Sequence, residues 1–198
     1  MAGFDFDGGG HAGLDFQLLV GPSAELAACG AHLGAVIRLF ALAQVDLKRA
    51  CSYGTTSYLG LVFIAIALQK PGIALLFLFA HGLAKALQFM AVGGIIATTN
   101  CQDLTELGGI GSRMPATALA FLVGSAGLVG LLPLGCFWCY GLMLDNLTQF
   151  NPGYAAVFLV TNLLAAANVT RVYRSVFLGP PTPKTKRTPE VNWLMALP

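Results

Sequence analysis

Five apolar stretches separated by short polar ones divide the chain. The clearest is 73–97, IALLFLFAHGLAKALQFMAVGGIIA, which carries a single charge, Lys85, at its centre. About 20 apolar residues at 1.5 Å each cross the ~30 Å hydrocarbon core of a bilayer, so this stretch predicts a tilted transmembrane helix with Lys85 near the midplane. An ammonium group at that depth costs about 2.5 kcal/mol or more unless it faces a bundle interior or a wet cavity. Roughly 18 Å of apolar-rich helix lies on either side, which puts the headgroups out of reach of a snorkelling side chain. His81, four residues earlier, shares its face. His81 is open to two readings, a proton-relay partner of Lys85 or a packing histidine that donates to a neighbouring helix.

Around this segment the pattern predicts spans over 24–45, 53–68, 116–144 and 154–178. Together they make an all-α, polytopic transmembrane helix bundle of about five spans with one broken helix. The first span holds Gly30 and Gly34 at a small-xxx-small spacing, but also Glu25, His32 and Arg38. Arg38 is expected to snorkel toward Lys48. Residues 46–53 form a polar hinge that merges with the second span, which ends at the turn signal Gln69-Lys70-Pro71-Gly72.

The 116–144 stretch is too long for one straight span and is interrupted by Gly124, Gly127, Gly130, Pro133 and Gly135. Pro133 lacks a backbone donor and clashes with the preceding turn, so the helix is expected to break near Pro133 and Gly135. A break at membrane depth marks an ion pathway in transporters, and a plain proline kink is the competing reading. Residues 1–23 read as a flexible acidic leader. Residues 180–198 read as a basic Pro-rich loop and the start of a further helix.

Composition narrows the class. With 56% hydrophobic and 10% charged residues, and a mean hydropathy of +0.73, the chain groups with integral membrane proteins. A net charge of +2 without a basic, aromatic-interleaved stripe gives no nucleic-acid signal. Five scattered cysteines suggest no disulfide framework. Cys136-x-x-Cys139 has no second pair at metal-ligand spacing and reads as small packing residues. No metal site, haem or iron-sulfur ligand pattern or dinucleotide fingerprint is found, so no cofactor is expected in this chain. Lys48, Arg49, Arg113, Lys184, Lys186 and Arg187 fall on one side of the spans, and Lys70 and the acidic leader on the other. The positive-inside rule makes the first side cytoplasmic or its organellar equivalent.

Four stretches carry a family resemblance: AQVDLKRACSYGTTSYLG (43–60), AHGLAKALQF (80–89), DLTELGG (103–109) and RMP (113–115). Together they resemble the antiporter-like, chain-5 or F, membrane subunits of the complex I-like NAD(P)H:quinone oxidoreductases of cyanobacteria and chloroplasts. That resemblance implies half of an inverted-repeat antiporter-like fold, the second five-helix repeat of a longer protein. It implies a non-redox proton-channel subunit of a translocase, with other membrane subunits as partners and with quinone and iron-sulfur clusters in those partners. By position, Lys85 is the central relay lysine, His81 its partner and Lys48 the polar residue at the hinge. Lys85 would alternate between neutral and charged states, His81 would exchange protons with it through water, and the break at Pro133 would gate the onward path.

One run departs from the pattern. Where respiratory members place G-F-[FWY]-S-K, this chain has Cys136-Phe137-Trp138-Cys139-Tyr140. Tyr140 can relay a proton by hydrogen bonding but carries no positive charge. The same run, with LLPLGCFW (131–138) and GPPTPKTKRTPEV (179–191), resembles the variant subunits of complexes specialised for carbon dioxide uptake. This variant implies a carbonic-anhydrase-like partner and a cyanobacterial thylakoid membrane. Two other classes stay open, a subunit of a multi-subunit cation/proton antiporter and an inactive scaffold fragment.

Overall fold

Three of the six α-helices among the described residues begin with proline at the first helical position, where the missing N–H is no loss. These are α3 (Pro71–Thr99), α4 (Pro115–Val129) and α6 (Pro152–Val176). The others are α1 (Ala24–Ala43), α2 (Leu47–Ala67) and α5 (Gly135–Phe150). They are seen in a computed structural model that describes residues 24–131, 135–186 and 189. The leader 1–23, Pro133 and the apolar end of the chain lie outside the described residues. The bundle is all-α and polytopic. Helices α1, α2, α3 and α6 are long and apolar enough to cross a membrane.

The polar run expected as a hinge is helical from Leu47 onward. Asp46 caps α2 by accepting the Arg49 backbone N–H at 2.9 Å, which satisfies one of the unpaired donors of the first turn and lets the helix start early. The 116–144 stretch is two helices. At 15 residues, α4 is ~22 Å long, short of the ~30 Å hydrocarbon core, and so ends within it. It stops at Gly130, whose φ of 78° is a left-handed conformation that glycine adopts without strain.

Backbone bonds tie one end of the bundle together. The Leu47 N–H donates to Gln102 O at 2.8 Å, Leu104 N–H to Val45 O at 2.9 Å and Gly111 N–H to Phe177 O at 3.1 Å. The start of α2, the end of α3 and the end of α6 therefore share one side, which also carries Lys48, Arg49, Arg113, Lys184 and Lys186. At the opposite end, Tyr154 Oη donates to Ala24 O at 3.2 Å. Helices α1 and α2 touch backbone to backbone: a Cβ on Gly30 would sit 2.6 Å from Gly60 O. The outward faces are apolar, with Leu39, Phe79, Leu83 and Leu163 exposed as lipid or further subunits require.

On the basic side, the loop after α3 is strapped to the segment after α6. Lys184 forms an ion pair with Glu106, Thr182 Oγ1 donates to Glu106 O at 2.7 Å and Thr185 Oγ1 to Gly108 O at 2.7 Å. The Lys184 hydrogen bond holds the Glu106 carboxyl below its usual range, and Cys101, donating at 3.2 Å, adds to this. The same pairing raises Lys184. Asp103 is lowered by the two bonds it accepts from Thr105.

Two apolar clusters fill the interior. One joins Leu47, Ile95, Ile110, Met114, Phe121 and Val176 near the basic side. The other joins Tyr58, Phe77, Cys136, Met143 and Phe158 in the opposite half. Between them, on α2 and α3, lies a layer of polar or side-chain-free positions: Gly54, Ser57, His81, Lys85 and Gln88. Residues three or four apart along a helix share a face, so the sequence places this layer on the packed side of both helices.

Candidate functional site

Lys85 stands at the middle of α3 and is 8% exposed. Its Nζ donates to Cys51 O on α2 at 2.9 Å and to Gln88 Oε1, one turn along its own helix, at 2.7 Å. Gln88 Nε2 passes the chain on to Ser125 Oγ of α4 at 3.1 Å. The ammonium nitrogen also lies 5.4 Å from the centre of the Phe89 ring, within cation–π range. Two features make room for this network. Gly54 has no side chain to block the Cys51 carbonyl. Gly124 lets α4 approach so closely that a Cβ there would sit 2.8 Å from Ala84 O, which brings Ser125 within reach of Gln88.

His81 stacks on Tyr58, with ring centroids 3.9 Å apart and planes 24° from parallel. Neither imidazole nitrogen has a hydrogen-bond partner among the described residues. Tyr58 Oη and Cys136 Sγ share a hydrogen bond at 3.1 Å, which links α2 to the first turn of α5. Tyr140 Oη donates to Leu128 O at 2.5 Å. It thereby satisfies a last-turn carbonyl of α4 that helix geometry leaves open.

A small cavity joins these groups. It measures about 20 Å³ as the volume open to the centre of a water molecule, space for roughly one water. His81, Lys85, Gln88 and Tyr58 line it, it reaches Leu128 and Val129 at the end of α4, and Asn168 of α6 and Arg38 of α1 close it. Asn168 Oδ1 accepts from Arg171 Nη2 at 3.2 Å, and the same Nη2 donates to Gln44 O at 2.9 Å at the end of α1. A polar path thus runs from the basic side through Arg171 and Asn168 to Lys85. A second leads from His81 through Tyr58 toward the gap between α4 and α5.

Of the residues singled out from sequence, Lys85 and His81 share this cavity. Tyr140 does not line it but is bonded to Leu128, which does. Gly135 begins α5 against α3, where a Cβ would lie 3.3 Å from that of Ala80. Lys48 is exposed in the first turn of α2 and is absent from the cavity wall. Pro133 lies outside the described residues. Cys136 and Cys139 are buried free thiols, and no cluster of three or more His, Cys, Asp or Glu among the described residues is placed to hold a metal ion.

Arg38 corrects the sequence reading. It does not snorkel; it is 6% exposed and faces the cavity. The signal was present in the sequence. Arg38 continues the row Gly30, Gly34 at four-residue spacing, and that row is the packed face of α1. Gln88, Ser125 and Asn168 were also passed over. Gln88, three residues after Lys85, carried the same spacing signal, whereas Ser125 and Asn168 are single polar residues in apolar helices with no spacing signal of their own.

Comparison with known proteins finds relatives for this chain. The profile of a family described as NADH:quinone oxidoreductase/Mrp antiporter, transmembrane, matches residues 24–165. The chain is 63% identical over 160 residues to NAD(P)H-quinone oxidoreductase subunit 5, organellar chromatophore 2, of Paulinella chromatophora, covering 81% of this chain and 26% of that protein. It spans about a quarter of that relative's length. Among solved structures, an archaeal membrane-bound sulfane sulfur reductase matches with a TM-score of 0.82 at 22% identity, over 87% of this chain and 29% of the other. The Mrp complex of a Dietzia species matches with a TM-score of 0.76 at 19% identity, over 85% and 34%. At those identities the two structures speak for the fold.

Proposed function

We propose, because this chain belongs to the NADH:quinone oxidoreductase/Mrp antiporter transmembrane family, that it forms a proton-translocating part of the membrane arm of a complex I-like NAD(P)H or ferredoxin:plastoquinone oxidoreductase. The observation that carries the reading is Lys85. Its ammonium is held between two apolar clusters by two acceptors, and its third N–H is left for the cavity. An intramembrane lysine set in a polar cavity is built for moving protons rather than for packing. Lys85 is the proton carrier, and His81, with both nitrogens unpartnered among the described residues, exchanges protons with it through the cavity. Tyr58 and Tyr140 extend the route to the break beyond Gly130, and Lys48 serves the basic-side surface.

No redox step is assigned to this chain; quinone and iron-sulfur clusters belong to partner subunits. The finer assignment is the carbon dioxide uptake type, in a thylakoid membrane with a carbonic-anhydrase-like partner. Its support is Tyr140 in the place of a lysine, anchored to Leu128 O.

The test is Lys85→Ala in the full-length protein within its assembled complex. Coupled proton movement is expected to disappear while the complex migrates unchanged on a native gel. Normal pumping by that variant refutes the proposal. Sodium-dependent, quinone-independent proton exchange would transfer the reading to a cation/proton antiporter.

A further inference from the structure

The cavity beside Lys85 has an unbalanced charge. Arg38 and Lys85 both line it, both are more than nine-tenths buried, and no Asp or Glu among the described residues stands in its wall. Their terminal nitrogens converge on one point. A Cβ placed on Gly54 would lie 3.1 Å from Arg38 Nη1 and 3.3 Å from Lys85 Nζ, and apart from its chain neighbours and the nearby backbone of α2 it would meet no other described atom within 4 Å.

The hydrogen-bond count points the same way. Arg38 Nε–H and the His81 ring N–H have no acceptor among the described residues. Lys85 spends two of its three N–H groups on Cys51 and Gln88. Buried unsatisfied donors are costly, and two buried like charges without a counter-charge are more so. What the cavity lacks is an acceptor that carries negative charge.

We infer that this cavity is a binding site for a small monovalent anion of halide size, seated beside Gly54 between the Arg38 guanidinium and the Lys85 ammonium, with the His81 N–H as a further donor. Its volume of about 20 Å³, open to the centre of a water-sized sphere, admits a single-atom anion. The missing side chain at Gly54 is what leaves the seat open. Bound there, the anion neutralises one of the two cations and fixes Lys85 near Gln88. The inference rests on Lys85 being charged at rest and does not require it to transfer protons.

The experiment measures binding of radiolabelled chloride to the purified assembly containing the full-length subunit. Gluconate holds the ionic strength constant, and bromide serves as competitor. Saturable chloride binding that bromide displaces is expected for the wild type. Arg38→Gln should abolish it, Arg38→Lys should retain it, and Gly54→Ala, which fills the seat, should weaken it by roughly tenfold or more. If Arg38→Gln does not assemble, Gly54→Ala and Arg38→Lys decide the question alone. No saturable binding to the wild type overturns the site, as does binding that Gly54→Ala leaves unchanged. Failure of the proton-relay reading looks different: Lys85→Ala would then pump normally, whether or not chloride binds to the wild type.

Discussion

His81 lies flat against Tyr58, 3.9 Å between ring centroids, so the imidazole is oriented by a stacking neighbour and both nitrogens stay free for the cavity. A phenylalanine at position 58 preserves that surface and loses the hydroxyl with its bond to Cys136. Tyr58→Phe should therefore lower the proton flux by taking the hydroxyl out of the route, and Tyr58→Leu should lower it by roughly tenfold or more beyond that as the imidazole also loses its orientation. Initial rates of vesicle acidification compare the two. Equal rates in both variants would remove Tyr58 as a positioning residue.

Gln88 has two tasks, accepting from Lys85 and donating to Ser125. Ser125→Ala removes one neutral bond and should cost about 1 kcal/mol of stability, while Gln88→Leu leaves the buried ammonium short of an acceptor and should cost about 3 kcal/mol. Thermal unfolding of the solubilised assembly tests the order. A larger loss for Ser125→Ala would contradict it.

Gly124 and Gly82 separate packing from composition, since both are glycines of apolar helices. A Cβ on Gly124 meets Ala84 O at 2.8 Å, whereas one on Gly82 meets nothing within 4 Å. Gly124→Ala should push α4 from α3 and cost roughly 1–3 kcal/mol; Gly82→Ala should be neutral or slightly stabilising through its better helix propensity. Melting temperatures of the two variants measure the difference.

Tyr140 closes an open carbonyl at the end of α4. Tyr140→Phe leaves Leu128 O unpaired at membrane depth, with an expected cost of about 1–3 kcal/mol. Faster hydrogen exchange confined to residues 126–131 is the expected sign. Unchanged exchange would instead mean that the aromatic packing on Phe77 and Phe158, which phenylalanine keeps, and not the hydroxyl, is what the residue contributes.

The loop strap gives a pH dependence outside the membrane. Glu106, lowered chiefly by Lys184, adds stability that is present above its unfolded-state pKa and lost as pH falls through its lower folded value. Lys184, raised by the same pair, adds stability that is present below its unfolded-state pKa and lost as pH rises through its higher folded value. The strap should stay closed across neutral pH and loosen in acid. Amide protection at 104–108 and 182–186, corrected for intrinsic exchange rates, reports this. Lys184→Gln should weaken the acid dependence, and an unchanged profile would refute the pairing.

Length and hydropathy were enough to establish the membrane bundle, because crossing a bilayer demands a run of apolar residues that no other local requirement imitates. The depth of Lys85 and its shared face with His81 follow from the same arithmetic of helix rise and period. The early start of α2 was obscured by its charged first turn, although the cap at Asp46 is local. The inward face of Arg38 was legible in its row with Gly30 and Gly34, but the opening at Gly54, the bond from Gln88 to Ser125 and the anchoring of Tyr140 on Leu128 depend on which helices lie side by side and how closely. Only the packed tertiary structure decides that, since each contact joins residues from different helices and hydropathy along a single helix is blind to its neighbours.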